Sequence, residues 1–147
     1  MRKALFVLVL IALALPTTVL ANESKLQGGW NLVAVAYAGQ RVDMPAEMNI
    51  HVAFDRVKKT WTLKTDYSDP PTEVSGPYRL EGDQLYVSFQ GQTAPPLTVA
   101  FVKDELHVTL AIGDKPNAEP YVFIAKRGQF KPRPKQPQPK PAPPPSQ

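Results

Sequence analysis

The side chains able to do chemistry are few, and they are scattered. The chain has two histidines, thirteen acids and no cysteine. His51 and His107 each alternate with apolar neighbours, so both are expected to point outward and to be solvated. On a meander they lie on strands that are not neighbours, and no shared metal site is expected. Asp55, Asp66, Asp69, Glu81, Asp83, Asp104, Glu105 and Asp114 fall in or beside predicted turns, where acidic side chains serve the turn geometry. Glu81 and Asp83 are the closest pair that could share acid/base work. Ser68, Ser75 and Ser88 have no histidine at a suggestive spacing, so a nucleophilic triad has no support. No phosphate-cradling glycine-rich loop precedes a helix. Without cysteine there is no disulfide, thiolate metal site or thiol nucleophile. No catalytic residue, metal or cofactor is therefore expected, and the chain reads as a non-enzyme.

The elements that would position these residues occupy the middle of the chain. Met1 to Ala21 carries Arg2 and Lys3, an apolar run from Ala4 to Leu15, Pro16, and a small-residue exit with Val19 and Ala21. This is the pattern of a secretory signal peptide, which predicts residues 1–21 as a cleaved leader and an extracytoplasmic location, periplasmic or secreted. An uncleaved anchor is the alternative, but the apolar core is shorter than the roughly 20 residues a spanning helix needs. No stable membrane span is expected after cleavage. No cysteine follows Ala21, which excludes a lipid-modified N-terminus.

The net charge of +4 averages two opposed parts. From Asn22 to Ala125 there are 9 Lys/Arg against 13 Asp/Glu, whereas Lys126 to Gln147 holds 6 Lys/Arg and no acid. The basic character lies in the tail, and no nucleic-acid partner is expected.

Between them the pattern is β throughout. Leu26-Gln27-Gly28-Gly29-Trp30 opens a strand that runs to Tyr37 and is apolar on both alternating sets, so both its faces must be covered. Asp43 to Met48 has room for one short helical turn at most, with Asp43 as its candidate N-cap. Ile50, Val52 and Phe54 share a face, and Trp61 and Leu63 alternate with Thr60, Thr62 and Lys64 across a short charged loop. Asp66 to Glu73 reads as an open loop at one mouth, and Gly76-Pro77 as a bulge or an edge. Tight hairpins are expected at Tyr78 to Val87 and at Phe101 to Val108. Gly113 to Pro120 is a further loop, and Tyr121 to Arg127 the last strand.

Eight strands without a crossover helix predict an all-β domain over residues 22–127, an eight-stranded antiparallel up-and-down barrel. A two-sheet sandwich is the other closure. The inward set includes Leu32, Ile50, Val52, Phe54, Trp61, Leu63, Tyr78, Val87, Phe89, Val99, Phe101 and Val108, and Leu85, Leu97, Leu106 and Leu110 continue it. Eight strands leave room for side chains or for one small ligand, so these residues either fill the barrel or line an apolar pocket. Residues 128–147, with eight prolines, are expected to be a disordered basic arm outside the domain. Fully extended it would reach about 60 Å. Its charge suits an anionic cell-envelope polymer, with a spacer role as the alternative.

Leu26-Gln27-Gly28-Gly29-Trp30, the Gly39-Gln40-Arg41-Val42 turn, the Tyr78 to Leu85 hairpin and the final Lys126-Arg127 together resemble the lipocalin-like extracytoplasmic domains of planctomycete-type bacteria, and more distantly the calycins. The resemblance covers Lys25 to Arg127. It implies that Gly28 and Trp30 form the Gly-any-Trp motif and that Arg127, or Lys126 in its place, packs across the tryptophan to close the barrel. The Thr-Asp-Tyr motif of that family sits farther along the barrel than Thr65-Asp66-Tyr67 does here, so this match is read as chance. A transport function carried over from the calycins is analogy of fold alone. The apolar inward set and the missing catalytic constellation make the expected function that of an exported, non-enzymatic barrel that binds a small apolar ligand or acts as an interaction module.

Overall fold

The computed structural model describes residues 17–45, 47–67, 70–111, 118–134 and 141, with side chains from residue 22 onward. Most of the expected signal peptide and most of the arm beyond Pro134 lie outside the described residues.

Among the described residues one helix, α1 (Thr17–Leu26), precedes ten strands. These are β1 (Gly28–Tyr37), β2 (Gln40–Asp43), β3 (Ile50–Asp55), β4 (Thr60–Thr65), β5 (Thr72–Glu81), β6 (Gln84–Phe89), β7 (Gln92–Thr93), β8 (Leu97–Val102), β9 (Glu105–Leu110) and β10 (Tyr121–Arg127). The helix ends because Gly28 adopts a φ of 103°, which turns the backbone directly into β1. All pairings are antiparallel, and the pairing of β1 with β10 closes the sheet. Eight strands make the barrel, in the order β1, β3, β4, β5, β6, β8, β9 and β10. The short β2 and β7 are hairpin arms paired to β1 and β6. The alternation of apolar residues fixes this closure, since each cross-strand pair puts like residues on one face: Phe54 opposite Trp61, Val52 opposite Leu63, Val99 opposite Val108.

Two expectations are corrected and a third is resolved. Gln40–Asp43 forms strand β2, followed by a turn in which Met48 N bonds the Pro45 carbonyl (2.9 Å), so Asp43 lies in a strand. Of the two readings of Gly76-Pro77 the edge holds: both residues pair with β4 alone, at the point inside β5 where the partner changes from β4 to β6. There Pro77 needs no second ladder donor, and Gly76 leaves room for the Ser88 carbonyl to cross; an added Cβ would lie 1.9 Å from that oxygen. The loop after β4 is shorter than expected, because β5 already starts at Thr72, opposite Thr65.

Strand β1 shows how a doubly apolar strand is accommodated. A bulge between Leu32 and Ala34 reverses its faces, so that Trp30, Leu32, Val35 and Tyr37 follow the inner face of β10. Ala34 and Ile124 are buried on the outer face, apart from the main core. The Arg41 guanidinium reaches from β2 across β1 and β10 to Glu105 on β9 (3.2 Å).

The core sits at the end where β1 begins. Leu26, Trp30, Phe54, Tyr78, Leu80, Leu85, Val99, Leu106 and Ala125 are buried together. The last turn of α1 plugs this end. Leu26 is fully buried, its carbonyl accepts the Trp30 indole N–H (2.9 Å), Glu23 pairs with Lys59, and Ser24 accepts from Arg56 (2.5 Å).

The packed body does not end at Arg127. Residues 128–134 lie against the barrel, although composition alone assigns them to a disordered arm. Gly128 N donates to the Gly29 carbonyl (3.1 Å), and Arg133 reaches Asp66.

Candidate functional site

The inner wall has a gradient of exposure. At the plugged end Phe54, Tyr78 and Val99 are buried, with Phe54 and Tyr78 edge to face at 5.3 Å. Val52, Trp61, Val87, Phe101 and Val108 are partly buried against them. Toward the other end Leu32, Ile50 and Leu63 are half-buried and lie outside the core cluster, as do Leu110 and Phe123. Phe89 is 40% exposed, with its ring 6.4 Å from that of Trp61. The inward residues expected from the sequence thus fall into a closed floor and a solvent-reached apolar mouth. Leu110 belongs to the same wall, as expected; Val35, Tyr121 and Phe123 also belong to it and were not in the expected set. The bulge in β1 hides Val35, while the last two are apolar residues at inward register positions.

The seam between β6 and β8 opens this mouth further. These strands pair only at Gln84–Thr98 and Leu85–Leu97, after which β6 turns into the β7 arm. Tyr37 and Tyr121 stack at 4.6 Å on the opposite rim.

Closure at the floor depends on Gly28, Trp30 and Arg127. The Arg127 guanidinium lies 4.3 Å over the Trp30 ring. The same group donates to the carbonyls of Lys25 and Gln27, which a helix C-terminus leaves without partners. Gly28 is where a side chain would meet it: an added Cβ would sit 2.9 Å from Arg127 Nη1.

The polar candidates do not converge. His51 is on β3 and His107 on β9. His107 bonds Glu105 (2.9 Å), which also takes Arg41. The His107 bond is the strongest influence on the Glu105 carboxyl and, with Arg41, holds it below its ordinary value despite partial burial. His51 is not solvated as expected. It points outward, but it is 6% exposed because residues 128–130 cover it, and its Nδ1 bonds Asn31 Oδ1 (2.7 Å). Burial, aided by the nearby Lys64 cation, lowers its pKa below 6.5. Glu81 and Asp83 flank the exposed β5–β6 turn, where Glu81 pairs with Arg79 (3.2 Å). Ser75 is exposed, Ser88 Oγ bonds Thr93 Oγ1 (3.0 Å), and Ser68 lies outside the described residues. Among the described residues no three His, Asp or Glu side chains gather as a metal site, and no helix is long and apolar enough to cross a membrane.

Among the described residues two grooves lie apart from the open mouth. One, of about 600 Å³, runs along β3 and β4 beside residues 128–130 and includes His51, Thr62 and Lys64. The other, of about 450 Å³, lies at the plugged end between Lys25, Phe101, Lys103 and Lys126.

No protein-family model matches the chain, and no curated protein is detectably similar to it in sequence.

Proposed function

We propose that this protein is an exported, non-enzymatic, lipocalin-like binding protein that takes a small apolar ligand into the open end of its barrel. The observation that carries this reading is the gradient along the inner wall. Leu32, Ile50, Leu63 and Phe89 face inward by register yet remain wetted, while the opposite end is sealed by Leu26, Trp30 and Arg127. Wetted apolar wall is the surface that an apolar ligand would remove from water, at about 25 cal/mol per Å². Among the described residues His51, His107, Glu81, Asp83 and Ser75 lie on outer faces or beside turns and do not converge, which favours binding over chemistry. The signal-peptide pattern supports export.

The test is a titration with a fluorescent fatty-acid probe such as parinaric acid. Saturable binding is expected, and Leu63→Arg, which places a charge on the wall, should weaken it at least tenfold, about 1.4 kcal/mol. Absence of saturable binding, or binding indifferent to Leu63→Arg, refutes the reading.

A further inference from the structure

The outer face formed by β1, β3 and β4 already holds an extended peptide, the chain's own residues 128–134. Its contacts are those of a bound ligand. Side-chain amides read alternate main-chain carbonyls: Asn31 Nδ2 donates to Gln129 O (3.3 Å), and Asn49 Nδ2 donates to Lys131 O (2.6 Å). The Phe130 ring sits 6.1 Å from the His51 ring, with Lys64 Nζ 6.0 Å from its centroid. Asp66 Oδ2 accepts from the Arg133 main-chain N–H (3.0 Å) and from its Nε (3.3 Å), while Nη2 donates to the Asp66 carbonyl (3.0 Å). We propose that this face is a recognition site for an extended basic peptide carrying an aromatic residue three positions before an arginine, and that residues 128–134 occupy it in cis.

Two further observations separate a replaceable ligand from a fixed part of the fold. The segment adds nothing to the core, since Phe130 lies on the outer face and residues 131–134 are exposed. It also satisfies its main anchor only by half. The Asp66 side chain is 4% exposed, and its Oδ1 is buried without a hydrogen-bond partner among the described residues. A buried carboxylate oxygen left unpaired is costly, and the planar guanidinium fork normally engages both oxygens. An arginine arriving in trans, free of the covalent path from β10, can take that two-oxygen geometry. Pro132 and Pro134 restrict the occupant to an extended conformation before it docks, which lowers the ordering cost of a peptide of this type.

The experiment uses the full chain with Phe130→Ser and Arg133→Ser, two substitutions at side chains outside the core, and a fluorescein-labelled peptide spanning residues 128–134. Anisotropy should show one-to-one binding to the variant and at least roughly tenfold weaker binding to the unsubstituted chain, whose site is filled. Adding Asp66→Asn to the variant, or replacing the peptide's arginine with norleucine, should abolish binding. Equal binding to variant and unsubstituted chain, or binding that survives either of the last two changes, overturns the proposal. A second measurement needs no substitution. Excess unlabelled peptide should displace the segment from the unsubstituted chain and bring the Gly128 amide, bonded to Gly29, into fast hydrogen exchange; a Gly128 amide unmoved by millimolar peptide overturns it as well.

Discussion

Arg127→Ala tests the closure of the barrel at its most connected side chain. The substitution removes a guanidinium stacked 4.3 Å over Trp30, a ring only 3% exposed, and two donors to the carbonyls at the end of α1. The stack is worth about 1 kcal/mol at a partly desolvated site. Each bond to a carbonyl adds roughly 0.5 kcal/mol, at the low end because Arg127 is itself exposed and water can replace the donor. The sum is about 2 kcal/mol, which in urea shifts the unfolding midpoint by about 1 to 2 M. Arg127→Lys should recover less than half of it, because an ammonium keeps the charge but cannot stack as a plane while donating to two carbonyls. A double-mutant cycle with Trp30→Leu should show a coupling of about 0.5 to 1 kcal/mol. A loss below about 0.5 kcal/mol for Arg127→Ala, or strict additivity with Trp30→Leu, would refute the claim that these two residues close the barrel together.

Trp30→Ala should cost about 3 to 5 kcal/mol, measured by urea denaturation, because it empties a large aromatic site in the core. Gly76→Ala should destabilise by about 3 kcal/mol or more, since the new Cβ would sit 1.9 Å from the Ser88 carbonyl oxygen; that oxygen also accepts the Trp61 indole N–H (3.0 Å), so a changed Trp61 emission should accompany the loss. Stability should fall with acid in two stages. His51 is held neutral by burial and by Lys64, so the unfolded chain takes up a proton first and stability declines as the pH drops from about 6.5 toward its lowered folded value. His51→Gln should flatten that stage in urea titrations at pH 7.5 and 5. Burial acts to raise the Asp66 carboxyl, but the Arg133 main-chain N–H, the Asn49 amide and the Arg133 guanidinium outweigh it, so its contribution is present above the ordinary carboxylate range and is lost below about pH 4. Faster exchange of the Gly128 amide in that lower stage would report it.

The barrel was legible because a strand with one wet face writes its register into the residues. The alternations Ile50-Val52-Phe54, Trp61-Leu63 and Leu106-Val108 place each strand opposite its neighbour, and a slip of one residue would turn every one of them outward. The pairing of Trp30 with Arg127 was legible through the family resemblance. What failed were features set by tertiary approach. Val33 makes the bulge that redirects β1, yet nothing in a run of Leu, Val and Ala marks which residue will be extra. Gly76 read with Pro77 as a bulge or an edge, and nothing in that reading shows that its missing side chain makes way for the Ser88 carbonyl of another strand. Such a requirement is invisible until β6 is in place.

Residues 128–134 show a different limit. Composition decides whether a segment can build a core of its own, and by that measure a run of Gly, Gln, Lys, Arg and Pro with one Phe cannot. It does not decide whether a segment can dock on a core that already exists, since the barrel then supplies the buried surface and the polar partners. The pieces that hold it are dispersed over Asn31, Asn49, His51, Lys64 and Asp66, five residues that read separately as a strand face, a turn and a solvated histidine. His51 is the side chain that could have signalled the arrangement: an outward histidine beside outward Asn31 needs a cover if it is to be buried, and the nearest chain able to cover both begins where β10 ends, at Gly128. An order imposed by docking can also be undone by competition. The same contacts that extend the packed body past Arg127 therefore define a surface another extended chain could claim.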